Sequence, residues 1–186
     1  MEPVEINAGP YYLRQLRADA LIDDRPAVLT AFADPQMRRW VPGYDVPDLA
    51  AAGRYVATRA EQWRSDQRYS WAVADPLTGN ALGEVGLKNL DVAAGTAEAN
   101  CWAHPTHRGR GVVVTALTAV LRFGFGALGL RHVGYQHAAG NEASRRVAEK
   151  CGFTLDGRVC EGTLVGGVPH DMLVWFLRAD HGDARP

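Results

Sequence analysis

A glycine-rich stretch at residues 108–111 (Arg-Gly-Arg-Gly) is the part of this chain whose residue types and spacing point most directly to chemistry. It follows a strand-like run at residues 96–103 and precedes an apolar run with helical periodicity that starts at Val112. A glycine-rich turn before a helix leaves backbone N–H groups unpaired at the positive end of the helix dipole. Such groups bind phosphate, and arginine side chains add charge around the anion. We therefore predict a ligand that carries a phosphate or pyrophosphate.

Other interpretations of this region are weaker. The stretch lacks the Gly-Lys-Ser or Gly-Lys-Thr ending of a nucleotide-triphosphate loop, and no complete dinucleotide fingerprint lies near the first predicted strand. An ordinary surface turn is the remaining alternative. Cys101, His104 and His107 have the equal spacing of metal ligands, but Pro105 interrupts the backbone and no fourth ligand is evident, so we predict no metal site.

Two motifs resemble the GNAT acyltransferase superfamily. Arg108 and Gly111 match the family's acyl-coenzyme-A loop, which reads Arg or Gln, two residues, Gly, one residue, then Gly or Ala; Val113 stands at the last, usually small, position. Residues 140–153 are similar to a second family motif, Asn, two residues, Ser, and later Lys, one residue, Gly, Phe. Asn141 and Ser144 occupy its first two named positions.

A third stretch narrows the resemblance to one branch of that family. Residues 95–105 are similar to the Ala-Glu, two residues, Tyr-Trp segment of ribosomal-protein N-terminal acetyltransferases, with Cys101 where Tyr is common. The similarities extend from about residue 13 to about residue 177, so the chain is identified as a RimJ/RimL-like member.

The resemblance implies acetyl-CoA or coenzyme A as co-substrate and direct acetyl transfer to a primary amine. The pantetheine arm would lie where the strand ending at Ala103 diverges from a strand at residues 132–138. The implied coenzyme-binding residues are Trp102, Ala103, Arg108, Gly109, Arg110, Gly111, Val112, Val113, Asn141 and Ser144.

Transfer from a thioester requires an unprotonated amine, a polarised carbonyl and a stabilised thiolate. Glu98 occupies the Ala-Glu position of the related branch, so the resemblance implies that it is the general base, directly or through water; a solvent-facing strand carboxylate is the alternative. The resemblance also implies that Ser144, whose family counterpart faces the coenzyme sulfur, protonates or hydrogen-bonds the thiolate; a capping hydroxyl is the alternative. Backbone amides of residues 100–103 are predicted to polarise the carbonyl. Asn141 is expected to cap a helix and to contact the pantetheine arm. Cys101 is expected to be a core thiol instead of an acyl carrier.

The acceptor is only broadly constrained by the sequence. Its predicted walls are residues 40–44 and a flexible loop at residues 164–170, with scattered acidic residues that do not suit a polycation. We expect a protein α-amino group or a small-molecule amine. The alternatives are a coenzyme-binding regulatory module without turnover, another donor such as succinyl-CoA, and a dinucleotide-binding protein.

Length and composition agree with one domain over residues 1–186, which the resemblance implies is an N-acetyltransferase (GNAT-like) domain with a core at about 10–178. The chain has 47% hydrophobic residues and a net charge of -1, which gives no general attraction to nucleic acid or to a membrane surface. No apolar run is long enough to span a bilayer, no secretory signal is evident, and the three cysteines lack disulfide spacing, so we expect a cytoplasmic protein. Exposed sheet edges offer a route to a homodimer.

These residues must be positioned by a mixed set of elements. We predict strands at residues 11–16, 69–74, 81–90, 96–103, 132–138, 155–161 and 172–177, and helices at 21–33, 47–65 with Asp45 as cap, 112–128 and 141–151. The fold class is α/β (α+β), a single GNAT-like domain with a mixed, mostly antiparallel sheet of about seven strands flanked by about four helices.

Overall fold

The structure, a computed structural model, describes residues 1–179. The strands are β1 (Ile6–Ala8), β2 (Tyr11–Arg14), β3 (Arg68–Ala74), β4 (Ala81–Asp91), β5 (Thr96–Ala103), β6 (His132–Ala138), β7 (Thr154–Val165) and β8 (Val168–Arg178). The helices are α1 (Arg25–Ala33), α2 (Pro35–Trp40), α3 (Leu49–Arg64), α4 (Val112–Gly126) and α5 (Glu142–Lys150), with a 3-10 turn at Pro105–His107.

The eight strands within residues 1–179 belong to one sheet with the order β1-β2-β3-β4-β5-β6-β8-β7. Neighbouring strands are antiparallel except β5 and β6, which are parallel and are connected through α4. The mixed, mostly antiparallel sheet with flanking helices is confirmed. The separate strand β1 and the short helix α2 were not predicted.

Two hydrophobic clusters cover the two faces of this sheet. One contains the buried side of α4, including Leu117 and Val120, together with sheet residues such as Val85. The other contains α1 and α3 residues packed against Ala72 and Trp102. Because side chains alternate along a strand, residues 98, 100 and 102 of β5 face α1 and α3, whereas residues 97, 99 and 101 face α4.

Three predicted boundaries near the N-terminus are wrong. The first strand ends at Arg14, not residue 16. α1 begins at Arg25, not residue 21, because the Asp19 carboxylate accepts the backbone N–H groups of Leu21 and Ile22 and holds residues 19–22 in a turn. The cap of α3 is Asp48, which accepts the N–H of Ala51 at 2.7 Å, and Asp45 lies outside the helix.

The predicted flexible loop at residues 164–170 is a tight β-hairpin instead. β7 and β8 pair up to Val165 and Val168, so only Gly166 and Gly167 form the turn. Both glycines have positive φ, 59° and 80°, as a two-residue hairpin turn of the right twist requires.

α4 ends at Gly126, two residues before the predicted end, and Gly129 follows with a φ of 66°. No helix among the described residues is both long and apolar enough to cross a membrane.

Candidate active site

The parallel strands β5 and β6 separate part-way along their length. They pair from Thr96 with His132 to Ala99 with Tyr135, and beyond this point β5 follows only β4 while β6 follows only β8. The facing backbone edges of residues 100–103 and 136–138 therefore have no sheet partner. Because backbone N–H and C=O groups require hydrogen bonds, these edges suit an extended ligand arm with amides of its own.

The glycine-rich loop lies between the end of β5 and the start of α4. Gly109 and Gly111 have φ values of 76° and 77°, and Gly111 is the left-handed N-cap of α4 with no side chain bonded to the cap. A Cβ added at either glycine would meet nothing within 4 Å, so the space in front of this loop is open. The first-turn N–H groups of the 15-residue helix point into that space and fit an anion.

Val112 and Val113 contribute backbone groups to this site. Both side chains are buried in the hydrophobic cluster that contains α4. Val113, which departs from the small residue usual in the family motif, therefore does not fill the space in front of the loop. Its N–H group keeps the orientation set by the helix.

Arg108 has a partner that the sequence did not indicate. Its Nη2 donates to Asp34 Oδ1 at 2.7 Å and its Nη1 to Gln36 Oε1 at 3.2 Å. The hydrogen bond from Arg108, joined by backbone N–H groups of α2 and opposed by desolvation, lowers the pKa of Asp34. Arg110 is exposed. The loop therefore presents Arg110 outward, whereas Arg108 connects the loop to α2.

Asn141 and Ser144 lie at the start of α5. The Asn141 side chain accepts the N–H of Ser144 at 3.1 Å, so its predicted role as a helix cap is confirmed. The half-buried Ser144 lies near enough to Tyr135 to lower the pKa of its phenol slightly. Burial raises the pKa of Tyr135 well above its usual value, so this phenol stays protonated.

Cys101 faces the same side as Tyr135, and its Sγ lies 3.3 Å from the Tyr135 hydroxyl. Burial raises the pKa of Cys101 to about 12. Because the thiolate is the reactive form, this thiol is a poor nucleophile at neutral pH. The geometry agrees with the predicted core thiol.

Glu98 faces the opposite side of the sheet. It pairs with Gly134 in the part of β5 that is still bonded to β6, one side-chain repeat before the opening. Its carboxylate forms an ion pair with Lys88 at 2.8 Å and accepts from Asn89 Nδ2 at 3.1 Å. Two residues along the strand, about 7 Å, separate Glu98 from the opening, so a proton would have to pass from an amine there to Glu98 through intervening water.

Comparison with known proteins identifies the family to which this arrangement belongs. A family described as an acetyltransferase (GNAT) domain matches residues 12–154. The chain belongs to the GNAT acetyltransferase family. YdaF of Bacillus subtilis (strain 168), provisionally named a ribosomal N-acetyltransferase, is 33% identical over 156 residues, which are 83% of this chain and 84% of YdaF.

Solved structures share the fold of this GNAT protein. RimL, described as a ribosomal L7/L12 α-N-protein acetyltransferase in complex with coenzyme A, has a TM-score of 0.84 and 17% identity, covering 95% of this chain and 99% of RimL. The microcin C7 self-immunity acetyltransferase MccE, solved with acetyl-CoA and AMP, has a TM-score of 0.79 and 17% identity, covering 94% of this chain and 96% of MccE. These two structures show the shared fold, and YdaF supports the RimJ/RimL-like branch.

This GNAT protein is an acyl-CoA-dependent N-acetyltransferase, and acetyl-CoA is its co-substrate. The residues present fit the coenzyme, because open backbone donors at α4 suit a pyrophosphate and unpaired strand edges suit an amide-containing arm. Among residues 1–179, no three His, Cys, Asp or Glu side chains form a group that could hold a metal ion.

A buried charged cluster beside the opening was missed in the sequence. Glu84 accepts hydrogen bonds from Tyr55, Arg59, Arg68 and Trp102 at distances of 2.7 to 3.2 Å. The Trp102 side chain is thereby directed away from the opening, so only its backbone can contact the coenzyme. One signal was available: Glu84 is the acidic residue in an otherwise apolar or glycine run at residues 81–87.

The helix α2 was also missed, although it contacts both proposed coenzyme-binding segments. Its N-cap Asp34 binds Arg108 of the glycine-rich loop. At its other end, the Trp40 indole lies 3.3 Å from where a Cβ of Gly140 would stand, directly before Asn141. Pro35 and the preceding Asp34 were the available signal for a helix start.

Proposed function

We propose that this GNAT enzyme transfers the acetyl group of acetyl-CoA to a protein N-terminal α-amino group or to a small-molecule primary amine by direct attack on the thioester. The separation of β5 from β6 beside the glycine-rich loop is the observation that carries the proposal. The glycine-rich loop would bind the pyrophosphate, and the unpaired edge of β5 next to it would bind the pantetheine arm, so the two form one continuous binding surface.

The coenzyme would be held mainly by backbone groups. The N–H groups of Gly109, Gly111, Val112 and Val113 would bind the pyrophosphate, with Arg110 adding charge. Trp102 and Ala103 would pair with the pantetheine arm through the free edge of β5, and Asn141 would contact it from the start of α5. Arg108 would support the loop through its ion pair with Asp34.

Two side chains would move protons on opposite faces of the sheet. Glu98, on the face of α1 and α3, would take the proton from the attacking amine through water. Ser144, on the face of α4 and α5, would hydrogen-bond the departing thiolate, and Tyr135 would orient its hydroxyl. This placement supports attack from one face and departure toward the other.

The acceptor class rests on the relatives and on the segment at residues 40–44. YdaF and RimL are named for ribosomal proteins, and MccE is named for self-immunity to microcin C7. Both a protein N-terminus and a small amine are therefore included in the proposed acceptors.

Calorimetric titration with acetyl-CoA, coenzyme A, succinyl-CoA and NAD tests the donor site without an acceptor. We expect acetyl-CoA to bind and NAD not to bind. Release of free thiol is then measured with peptides that carry a free α-amino group, amino acids and antibiotic amines. Preference for succinyl-CoA would change the donor, and binding without turnover on any amine would favour a regulatory module.

A further inference from the structure

The buried charges beside the opening are not balanced. We define the Glu84 cluster as Tyr44, Tyr55, Arg59, Arg68 and Glu84. Arg59 and Arg68 are only 2% and 8% exposed, and Glu84 is fully buried. Both guanidinium groups share this single carboxylate, at 3.2 and 3.1 Å, and no other carboxylate among residues 1–179 pairs with either. The cluster therefore holds one buried positive charge in excess.

The Glu84 cluster lies next to the proposed site of attack. Glu84 is directly opposite Trp102, which belongs to the part of β5 that has separated from β6. Arg68 is opposite Lys88, and Lys88 is opposite Glu98, so these three residues form a row across β3, β4 and β5. An acceptor that places its amine near Glu98 would have its neighbouring groups beside the cluster.

Two hydrogen-bond donors of the cluster remain available to a ligand. Arg68 donates from Nε to Ser70 and from Nη2 to Glu84, which leaves Nη1 without a partner in the described part of the chain. The Tyr44 hydroxyl accepts from Arg59 Nη2 at 2.9 Å, and no described residue accepts its own proton. Although burial raises the pKa of Tyr44, the charge of Arg59 and its hydrogen bond bring that pKa below the usual value, which strengthens the donor.

We propose that the Glu84 cluster selects acceptor amines that carry a carboxylate close to the reacting nitrogen, with this carboxylate bound by Tyr44 and Arg68 Nη1. A buried charge without a counter-charge is unfavourable, so an anionic ligand is stabilised there and a polycationic amine is repelled. The inference rests on the proposed acetyl transfer and names its acceptor class. Tyr44 is 39% exposed, which places one of the two donors at the surface where an acceptor arrives.

The carboxylate has two sources, and matched acceptors separate them. The first pair is serine and serinamide, compared at equal concentrations of unprotonated amine. The second pair is two amidated peptides, Ser-Ala-Glu-Ala and Ser-Ala-Gln-Ala. In at least one pair we expect kcat/KM to be about tenfold higher for the carboxylate member, mainly through KM, because a charged hydrogen bond is among the stronger ones. The preference should shrink with added salt.

Three variants test whether the cluster causes this preference. Arg68→Gln and Tyr44→Phe should each reduce it several-fold, and Tyr44→Phe removes only a hydroxyl at a partly exposed position. Arg64→Gln is the matched control for Arg68→Gln. Arg64 carries the same charge as Arg68, but its side chain is 69% exposed and pairs with Glu61 outside the Glu84 cluster. It should keep the preference of the unmodified enzyme.

Equal kcat/KM values within both pairs, or a preference that survives both Arg68→Gln and Tyr44→Phe, would overturn the inference. If no amine is acetylated at all, the proposed function fails, and the carboxylate site is tested by binding alone. The N-acetylated members of both pairs are then titrated with coenzyme A present. Tighter binding of the carboxylate member of either pair that is lost in Tyr44→Phe supports the site, and equal binding within both pairs overturns it.

Discussion

At the scale of single residues, the residues proposed to act on the amine and those proposed to act on the thiolate lie on opposite faces of the sheet. Glu98 and the Glu84 cluster face α1 and α3, whereas Cys101 and its partner Tyr135 lie on the side of α4. The strand period of two produces this division, because consecutive side chains point to opposite faces. The acceptor and the leaving thiolate would therefore meet different residues.

Glu98→Gln tests the base at this scale. We expect turnover to fall while acetyl-CoA affinity is unchanged, with the largest loss at low pH, where the amine is protonated and most needs a proton acceptor. The measurement is kcat/KM across pH 6 to 9 beside calorimetric binding of acetyl-CoA. Glu61→Gln, an exposed α3 carboxylate with one ion pair, is the control. Full activity of Glu98→Gln would assign Glu98 a structural role.

At the scale of elements, the short helix α2 connects the two loops that would hold the coenzyme. Asp34 caps α2 and binds Arg108, while Trp40 packs on Gly140. The segment at residues 41–48, next to the proposed acceptor site, continues from this helix. The proposed coenzyme-binding loops and the proposed acceptor wall are therefore physically connected through α2.

A double-mutant cycle measures this connection. Asp34→Asn keeps a capping side chain but removes the charge, and Arg108→Gln removes the partner. For a partly exposed ion pair we expect each variant to weaken acetyl-CoA binding by at most about fivefold, since such pairs contribute up to about 1 kcal/mol. The double variant should be no weaker than either single variant. Additive losses would instead indicate that Arg108 contacts the phosphate directly.

Gly111→Glu tests the glycine-rich loop as an element. The positive φ costs any other residue about 1–2 kcal/mol, but open space in front of Gly111 allows the fold to persist. We expect acetyl-CoA affinity to fall by at least about tenfold, because a carboxylate would occupy the anion site.

Gly9→Glu is the matched control for this change. Gly9 has a φ of 69° and equal open space, but it lies in the turn between β1 and β2. This variant should match Gly111→Glu in thermal stability and keep normal coenzyme binding. Unchanged affinity in folded Gly111→Glu would contradict the proposed phosphate site.

At the scale of the whole molecule, Glu84 ties α3 to the sheet and makes stability depend on pH. Burial raises the pKa of Glu84, but Arg59 and Arg68 outweigh it and lower that pKa below the usual value. An unfolded glutamate has a pKa of about 4.3. This contribution is therefore present above about pH 4.3 and is lost as pH falls through the lower folded-state value.

We expect Glu84→Gln to reduce the free energy of unfolding by about 3–5 kcal/mol at pH 7, because two buried guanidinium groups lose their counter-charge. The difference from the unmodified protein should become smaller between pH 5 and pH 3. Urea unfolding at several pH values measures both effects. Asp156→Asn, an exposed carboxylate of β7, should change neither. An undiminished difference at pH 3 would show that ionised Glu84 does not stabilise the fold.

Local sequence signals were sufficient to predict the secondary structure of much of the proposed donor site. The bounds of β5 and β6, the start of α4 and the cap Asn141 were predicted from runs of apolar residues, glycines and capping side chains. These features depend on interactions within a few residues of each other, and a single sequence displays them directly. The prediction of a flexible loop at residues 164–170 was wrong. Gly166 and Gly167 permit both a flexible loop and a tight turn, and the pairing of β7 with β8 decides between them.

The sequence by itself determined the fold class, the position of the glycine-rich loop before α4 and the family, because each depends on residue order and short-range geometry. Only the tertiary structure decided that Arg108 binds Asp34, 74 residues away, and that Arg59 and Arg68 share Glu84. Those partners are distant in the chain, and burial in a common low-dielectric site makes their charges interact strongly. No local sequence pattern indicates these ion pairs, because they form only when the helices pack on the sheet and on the glycine-rich loop.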